Sequence, residues 1–199
     1  MKTGLVLEGG GVRGIYTAGV LDVFMEHGIT FDGVIGVSAG AIHGCSYLSE
    51  QKGRSIRYYK KYCNDPRFMS FKSWLKTGDI VGADFCYHEL PDVLDPYDHE
   101  AFNKCNTPFY VTCSNVETGQ AEYIQITDMK KQIDALRASA SLPYFSLDLH
   151  SIGKNLFFQK MPLIQTGIIL LIPKNYLKLK EILVGSTGFS QFLIYSIKK

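Results

Sequence analysis

Two glycine turns, each following a short apolar run, constrain this chain more than any other feature. Leu5-Val6-Leu7 leads into Gly9-Gly10-Gly11, and Phe31 to Val37 leads into Gly36-Val37-Ser38-Ala39-Gly40. An apolar run closed by glycine reads as a buried strand ending in a turn. A helical pattern follows each turn. The first runs through Ile15, Ala18, Leu21 and Phe24 to a stop at His27-Gly28, and the second covers Ala41 to Leu48. Strand, turn and helix twice in succession predict an α/β fold on a parallel sheet, since a parallel neighbour requires a crossover connection. At 199 residues the chain fits one ordinary domain with a real core.

The remaining elements are less regular. Residues 51–76 read as irregularly helical, and residues 77–107, rich in Asp, Pro and aromatic side chains, read as loops. Phe109 to Cys113 and Glu122 to Ile126 read as strands joined by a turn at Glu117-Thr118-Gly119. Asp128 is placed to cap a helix running through Leu136 to Ser141, which Pro143 ends.

Gly36-x-Ser38-x-Gly40 lies between a strand and a helix, the context a nucleophile elbow requires. A serine on so sharp a turn adopts a strained backbone and tolerates only small neighbours, here Ala39 and Gly40. The helix that follows aims its positive N-terminus at the same spot. The bland reading is a glycine turn with an idle serine. The first turn, Gly9-Gly10-Gly11-Val12-Arg13-Gly14, offers backbone N–H groups that converge on an anion, as an oxyanion hole needs. Gly9-x-Gly11-x-x-Gly14 is also a dinucleotide fingerprint, but that reading wants an acid at the far end of the second strand, and Asp32 stands at its start. A Ser–His–Asp hydrolase is a further alternative. It would draw on His43, His88, His99 or His150, of which only His150 follows a suitable acid, Asp148, and His43 fits a packed helix position better.

Charge excludes other classes. Lys and Arg total 21 against 19 Asp and Glu, a net +2, which gives no support for general nucleic-acid binding. Cys45, Cys63, Cys86, Cys105 and Cys113 are odd in number and form no C-x-x-C pair. They read as reduced, buried thiols rather than a disulfide framework or zinc site, and no metal or cofactor is expected. The N-terminal apolar run is too short for a signal peptide and no stretch approaches the ~20 residues of a membrane helix. A cytoplasmic protein, in peripheral contact with a membrane at most, is the expectation. On residues 54–62, Arg54, Arg57, Lys60 and Lys61 alternate with Tyr58, Tyr59 and Tyr62. A solvated helix face accounts for that pattern, and a headgroup-facing surface is the alternative. Phe68, Phe71 and Trp74 either line an acyl channel or pack under the following segment.

Three segments together, Gly9 to Gly14, Gly36 to Gly40 and Arg137-Ala138-Ser139-Ala140-Ser141-Leu142-Pro143, resemble a bacterial patatin-like phospholipase over about residues 1–155. The resemblance implies a three-layer α/β/α sandwich with a mainly parallel sheet. It also implies a serine acyl hydrolase of lipid esters that uses a Ser–Asp dyad, no histidine and no metal. Ser38 matches the nucleophile, the N–H groups of Gly10, Gly11 and Val12 match the oxyanion donors, and Arg13 matches the loop arginine.

The resemblance stops before the dyad aspartate. An Asp-Gly-Gly or Asp-Gly-Ala segment is due near 158–160, where the chain has Phe158-Gln159-Lys160, and no Asp follows Asp148. Composition changes at the same place. Residues 151–199 hold seven lysines, one acid (Glu181), no Asp and no Ala. The expectation is a family domain over 1–155, incomplete at its C-terminus, and a divergent basic tail over 156–199 produced by truncation or a frameshift. Asp148 is then the nearest acid for the base. A catalytically defective fragment, or a lipid-binding protein without turnover, is the alternative function.

Overall fold

The computed structural model describes residues 2–115 and 118–141, together with the backbone segments 156–157, 181–185 and 192–197. Chain order is β1 (Lys2–Leu7), a single 3-10 turn (Gly11–Arg13), α1 (Gly14–Glu26), β2 (Gly33–Gly36), α2 (Ala39–Leu48), α3 (Arg54–Tyr62) and α4 (Phe71–Thr77). A π-type helical segment (Phe85–Leu94) follows, then α5 (His99–Lys104), β3 (Phe109–Asn115), β4 (Ala121–Ile126) and α6 (Ile133–Ala140). β5 (Leu156–Phe157), β6 (Glu181–Gly185) and β7 (Phe192–Ile197) complete the described segments.

The strands form one mixed sheet in the order β4-β3-β2-β1-β7-β6, with β5 also on β3. Its centre is parallel, as the two strand–turn–helix units require: β1 pairs β2 with Leu7 opposite Gly36, and β2 pairs β3 with Gly36 opposite Val111. The flanks are antiparallel. β3 and β4 form the hairpin expected from the Thr118-Gly119 turn, where Gly119 takes a φ of 67°. On the other side β7 runs antiparallel to β1, and β6 to β7. The basic tail thus contributes three described strand segments; its apolar stretch Ile168 to Ile172 lies outside the described residues.

The core lies on one face. Leu5, Leu7, Val34, Phe109, Val111 and Cys113 are buried there with Leu21, Ala135 and Leu136 from the helices. Each fully buried large apolar side chain contributes about 1.5–3 kcal/mol. α2 packs so closely on this face that a methyl on Gly44 would touch Leu7 and Phe109. α6 sits beside it, with the Cys113 thiol at the Ala135 carbonyl. The three-layer arrangement is described on this face alone.

Three details differ from the sequence reading. Phe85–Leu94 is helical despite Pro91, because the wide turn lets the Asp95 N–H reach the Leu90 carbonyl at 2.8 Å. α6 starts at Ile133, and Asp128 instead accepts from the Lys131 N–H in the turn before it. Of the free cysteines, Cys45 and Cys113 are buried, but Cys63 is exposed at the end of α3.

Candidate functional site

The register of β1 on β2 brings both glycine turns to the same end of the sheet. Ser38 caps α2 with φ 52° and ψ −125°, a conformation that L-residues with a β-carbon avoid. Packing enforces it. A methyl on Gly40 would lie 2.5 Å from the Glu8 carbonyl oxygen, and one on Gly36 would lie 2.6 Å from the Ala41 Cα. Only a chain lacking β-carbons at 36 and 40 turns this tightly between β2 and α2. A β-carbon on Gly9 would stand 3.1 Å from that of Ser38, so the first turn passes directly beside the serine.

Within that turn Arg13 N–H bonds the Gly10 carbonyl at 3.1 Å, and Gly11 takes a φ of 53°. The N–H groups that open such a helical turn have no acceptor inside it, which leaves those of Gly11 and Val12 available. Val12 and Arg13 are exposed, and Gly14 packs against Ala39 and His43 of α2.

The third segment joins through α6. The Ser38 N–H donates to Ser139 Oγ at 2.8 Å, and that hydroxyl donates to the Thr112 carbonyl at 2.7 Å. The elbow is therefore tied to β3 through one buried serine. An ion pair at 2.9 Å between Arg137 and the buried Asp79 anchors α6 to the segment after α4. Asp32 plays no part here. It accepts from Thr3 N–H at 2.7 Å at the opposite end of the sheet, where no ribose could meet a ligand on the glycine turn.

A cavity of about 250 Å³ opens beside Ser38 and Gly11. Apolar side chains dominate its wall, Phe68, Leu90, Tyr58 and Leu136 among them. Phe68 borders this cavity and packs in a buried cluster with Tyr58, Tyr62, Phe85 and Leu90, while the Phe71 and Trp74 rings lie 5.0 Å apart outside it, Phe71 on the surface.

Of three titratable groups at the site, Glu8 alone was not singled out in the sequence, and His43 takes the packed helix position expected of it. His43 is 3% exposed, borders the cavity, and neither ring nitrogen has a partner among the described residues. Burial pushes its pKa down to about 4. Glu8, half-buried before the first turn, has its carboxyl raised by burial. Arg54 is 4% exposed and so does not belong to the solvated face of α3. Arg54 and Arg57 both turn to Asp95, Arg57 from the exposed side, where Lys60 and Lys61 also lie. Burial of a cation next to this cavity had no local signal, because its partner lies forty-odd residues on. Asp148 and positions 158 to 160 lie outside the described residues. Among the described residues no group of His, Cys, Asp and Glu is placed to hold a metal ion, and no helix is long and apolar enough to cross a membrane.

The model of the patatin-like phospholipase family matches residues 5–164. The chain belongs to that family. The match runs past residue 155, where the sequence resemblance was expected to end. This patatin-like chain is 29% identical over 149 residues to the uncharacterized protein YjjU of Escherichia coli (strain K12), a stretch covering 72% of the chain and 41% of that protein. It is 34% identical over 87 residues to the lysophospholipase NTE1 of Eremothecium gossypii, covering 41% of the chain and 6% of that protein. With the lysophospholipase NTE1 of Mycosarcoma maydis identity is 28% over 127 residues, 61% of the chain and again 6% of the relative. The chain therefore spans well under half the length of these relatives.

Proposed function

We propose that this chain is a serine acyl hydrolase of lipid esters. The observation that carries the reading is the strained Ser38 beside an apolar cavity and beside a turn whose Gly11 and Val12 N–H groups have no acceptor among the described residues. Family membership and the lysophospholipase relatives support the same chemistry.

In this mechanism an acyl chain enters the cavity, which is worth about 0.8 kcal/mol per buried methylene. That places the ester carbonyl over Ser38. The Ser38 hydroxyl attacks, and the N–H groups of Gly10, Gly11 and Val12 receive the negative charge that develops on the carbonyl oxygen. The leaving alcohol departs with a proton, and water then cleaves the acyl-enzyme. Gly9 and Gly14 let the turn approach, and Arg13 sits exposed at its rim, where it meets a lipid phosphate. Gly36 and Gly40 hold the elbow. A serine needs a base, and its loss lowers the rate by about 10²–10⁴-fold. Among the described residues no carboxylate or imidazole bonds the Ser38 hydroxyl, and Asp148 is the acid we assign to that role.

The residues Phe158-Gln159-Lys160, where the family aspartate is due, favour a second reading: a lipid-binding chain without turnover, its tail over 156–199 altered by a frameshift. A fluorophosphonate probe with mass spectrometry, beside p-nitrophenyl ester assays, separates the two. Labelling at Ser38 with turnover that Ser38→Ala and Asp148→Asn both abolish supports the hydrolase. Labelling with background turnover supports the second reading. Labelling elsewhere, or none, sinks the first.

A further inference from the structure

The cavity beside Ser38 has a cation in its wall. Ala39, Ile42 and Cys45 of α2 line it together with Arg54 of α3. Arg54 is held between the rings of Tyr58 and Tyr97, each centroid 5.4 Å from the guanidinium carbon. It donates to the Asp95 carbonyl oxygen at 2.8 Å and to Ser46 Oγ at 3.4 Å. Its Nε lies 3.5 Å from Asp95 Oδ1 and makes no hydrogen bond among the described residues.

An arginine buried for packing alone would hold its carboxylate to itself. Here Arg57, more than half exposed, takes both Asp95 oxygens at 2.8 Å. Two guanidinium groups, the buried Arg54 and the exposed Arg57, share one carboxylate, and the exposed Asp92 also borders the cavity. A guanidinium has five N–H donors, and a buried donor left unmet is costly. The partner that fits a planar fork in the wall of an apolar cavity is a second carboxylate.

We propose that the cavity selects acyl groups that end in a carboxylate, which Arg54 receives while the scissile carbonyl lies at Ser38. The inference rests on the acyl-hydrolase reading of the same cavity. The helix sets the length. From Ser38 to Ser46, which Arg54 contacts, α2 rises about 12 Å at 1.5 Å per residue. A hydrogen bond takes up about 3 Å of this. Bonds of 1.52 Å meeting at about 111° advance a chain about 1.25 Å per carbon, so a diacid of roughly eight or nine carbons spans the rest.

Calorimetric titration of the Ser38→Ala protein, which leaves esters intact, tests this with monomethyl azelate, dimethyl azelate, methyl nonanoate and acetate. Monomethyl azelate should bind about tenfold or more tighter than either neutral ester, and acetate should not bind comparably. Arg54→Met should remove the preference. If that variant does not fold, Arg57→Met returns Asp95 to Arg54 and should reduce it. Equal affinity for the three esters overturns the inference and leaves the hydrolase reading standing. Acetate binding as tightly as the monoester overturns it as well, since Arg54 would then take any small anion. Absence of binding by all the esters also overturns it, and fluorophosphonate labelling of Ser38 in the unsubstituted chain decides separately whether the hydrolase reading falls too.

Discussion

His43 should make the fold sensitive to mild acid. Its imidazole is buried between α2 and Gly14, with neither nitrogen paired among the described residues, and its pKa falls from 6.5 to about 4. The unfolded chain therefore binds a proton near pH 6.5 that the folded chain refuses until about pH 4. Between those values the unfolded state holds more protons, so stability falls as pH falls. The His43 contribution is complete above about 6.5 and is lost progressively down to about 4. That interval corresponds to about 3 kcal/mol, a large share of the 5–15 kcal/mol typical of a domain. Urea denaturation of the parent and of His43→Asn at pH 7.5, 6.5, 5.5 and 4.5 measures it. The carboxyls held low by their partners, such as Asp32 and Asp65, titrate alike in both proteins and cancel in the difference. The parent should lose about 2.5 kcal/mol more than the variant from pH 7.5 to 4.5. Parallel pH dependences would refute the reasoning, because a buried neutral imidazole cannot be removed without changing proton uptake on unfolding.

Gly40→Ala drives a methyl against the carbonyl oxygens of Leu7 and Glu8, and should lower stability by several kcal/mol in thermal melts, about the upper range for single substitutions. Asp95→Asn leaves Arg54 buried without its anion and should cost about 3–5 kcal/mol, whereas Arg57→Ala at the exposed side of the same cluster should cost under about 1 kcal/mol in the same denaturation assay. Ser139→Ala removes the acceptor of the Ser38 N–H and should cost about 1–3 kcal/mol. It should also slow fluorophosphonate labelling of Ser38; unchanged labelling would show that the elbow holds its shape without this bond.

The parts of the site legible in the sequence are those whose sterics are local. A turn that excludes β-carbons at 36 and 40 has to be written as glycine, and the strand before it has to be apolar, so Gly36 to Gly40 announces its own geometry. The hairpin of β3 and β4 was equally local, carried by Thr118-Gly119. Ser139 was visible as part of a family segment, but its bond to Ser38 joins residues 101 positions apart and has no local sign. Arg54 was read too blandly for the same reason: its burial depends on Asp95, in another element. Phe85–Leu94 misled because proline and acids argue for a loop, and only a wide helical turn with an Asp95-to-Leu90 bond accommodates them. The tail carried no turn chemistry that identifies β6 or β7, and the pairing of β7 on β1 rests on an open sheet edge rather than on a pattern.

The backbone of Ser38 sets two selective pressures against each other. At φ 52° a glycine would sit without strain, and conformations of this kind cost a residue with a β-carbon about 1–3 kcal/mol. A population of variants sorted on folding alone should therefore drift to glycine at position 38, and gain thermal resistance as the hydroxyl disappears. A population sorted on ester turnover should hold serine there at the expense of that resistance. Deep sequencing of the two populations reads the strain of one residue as a frequency.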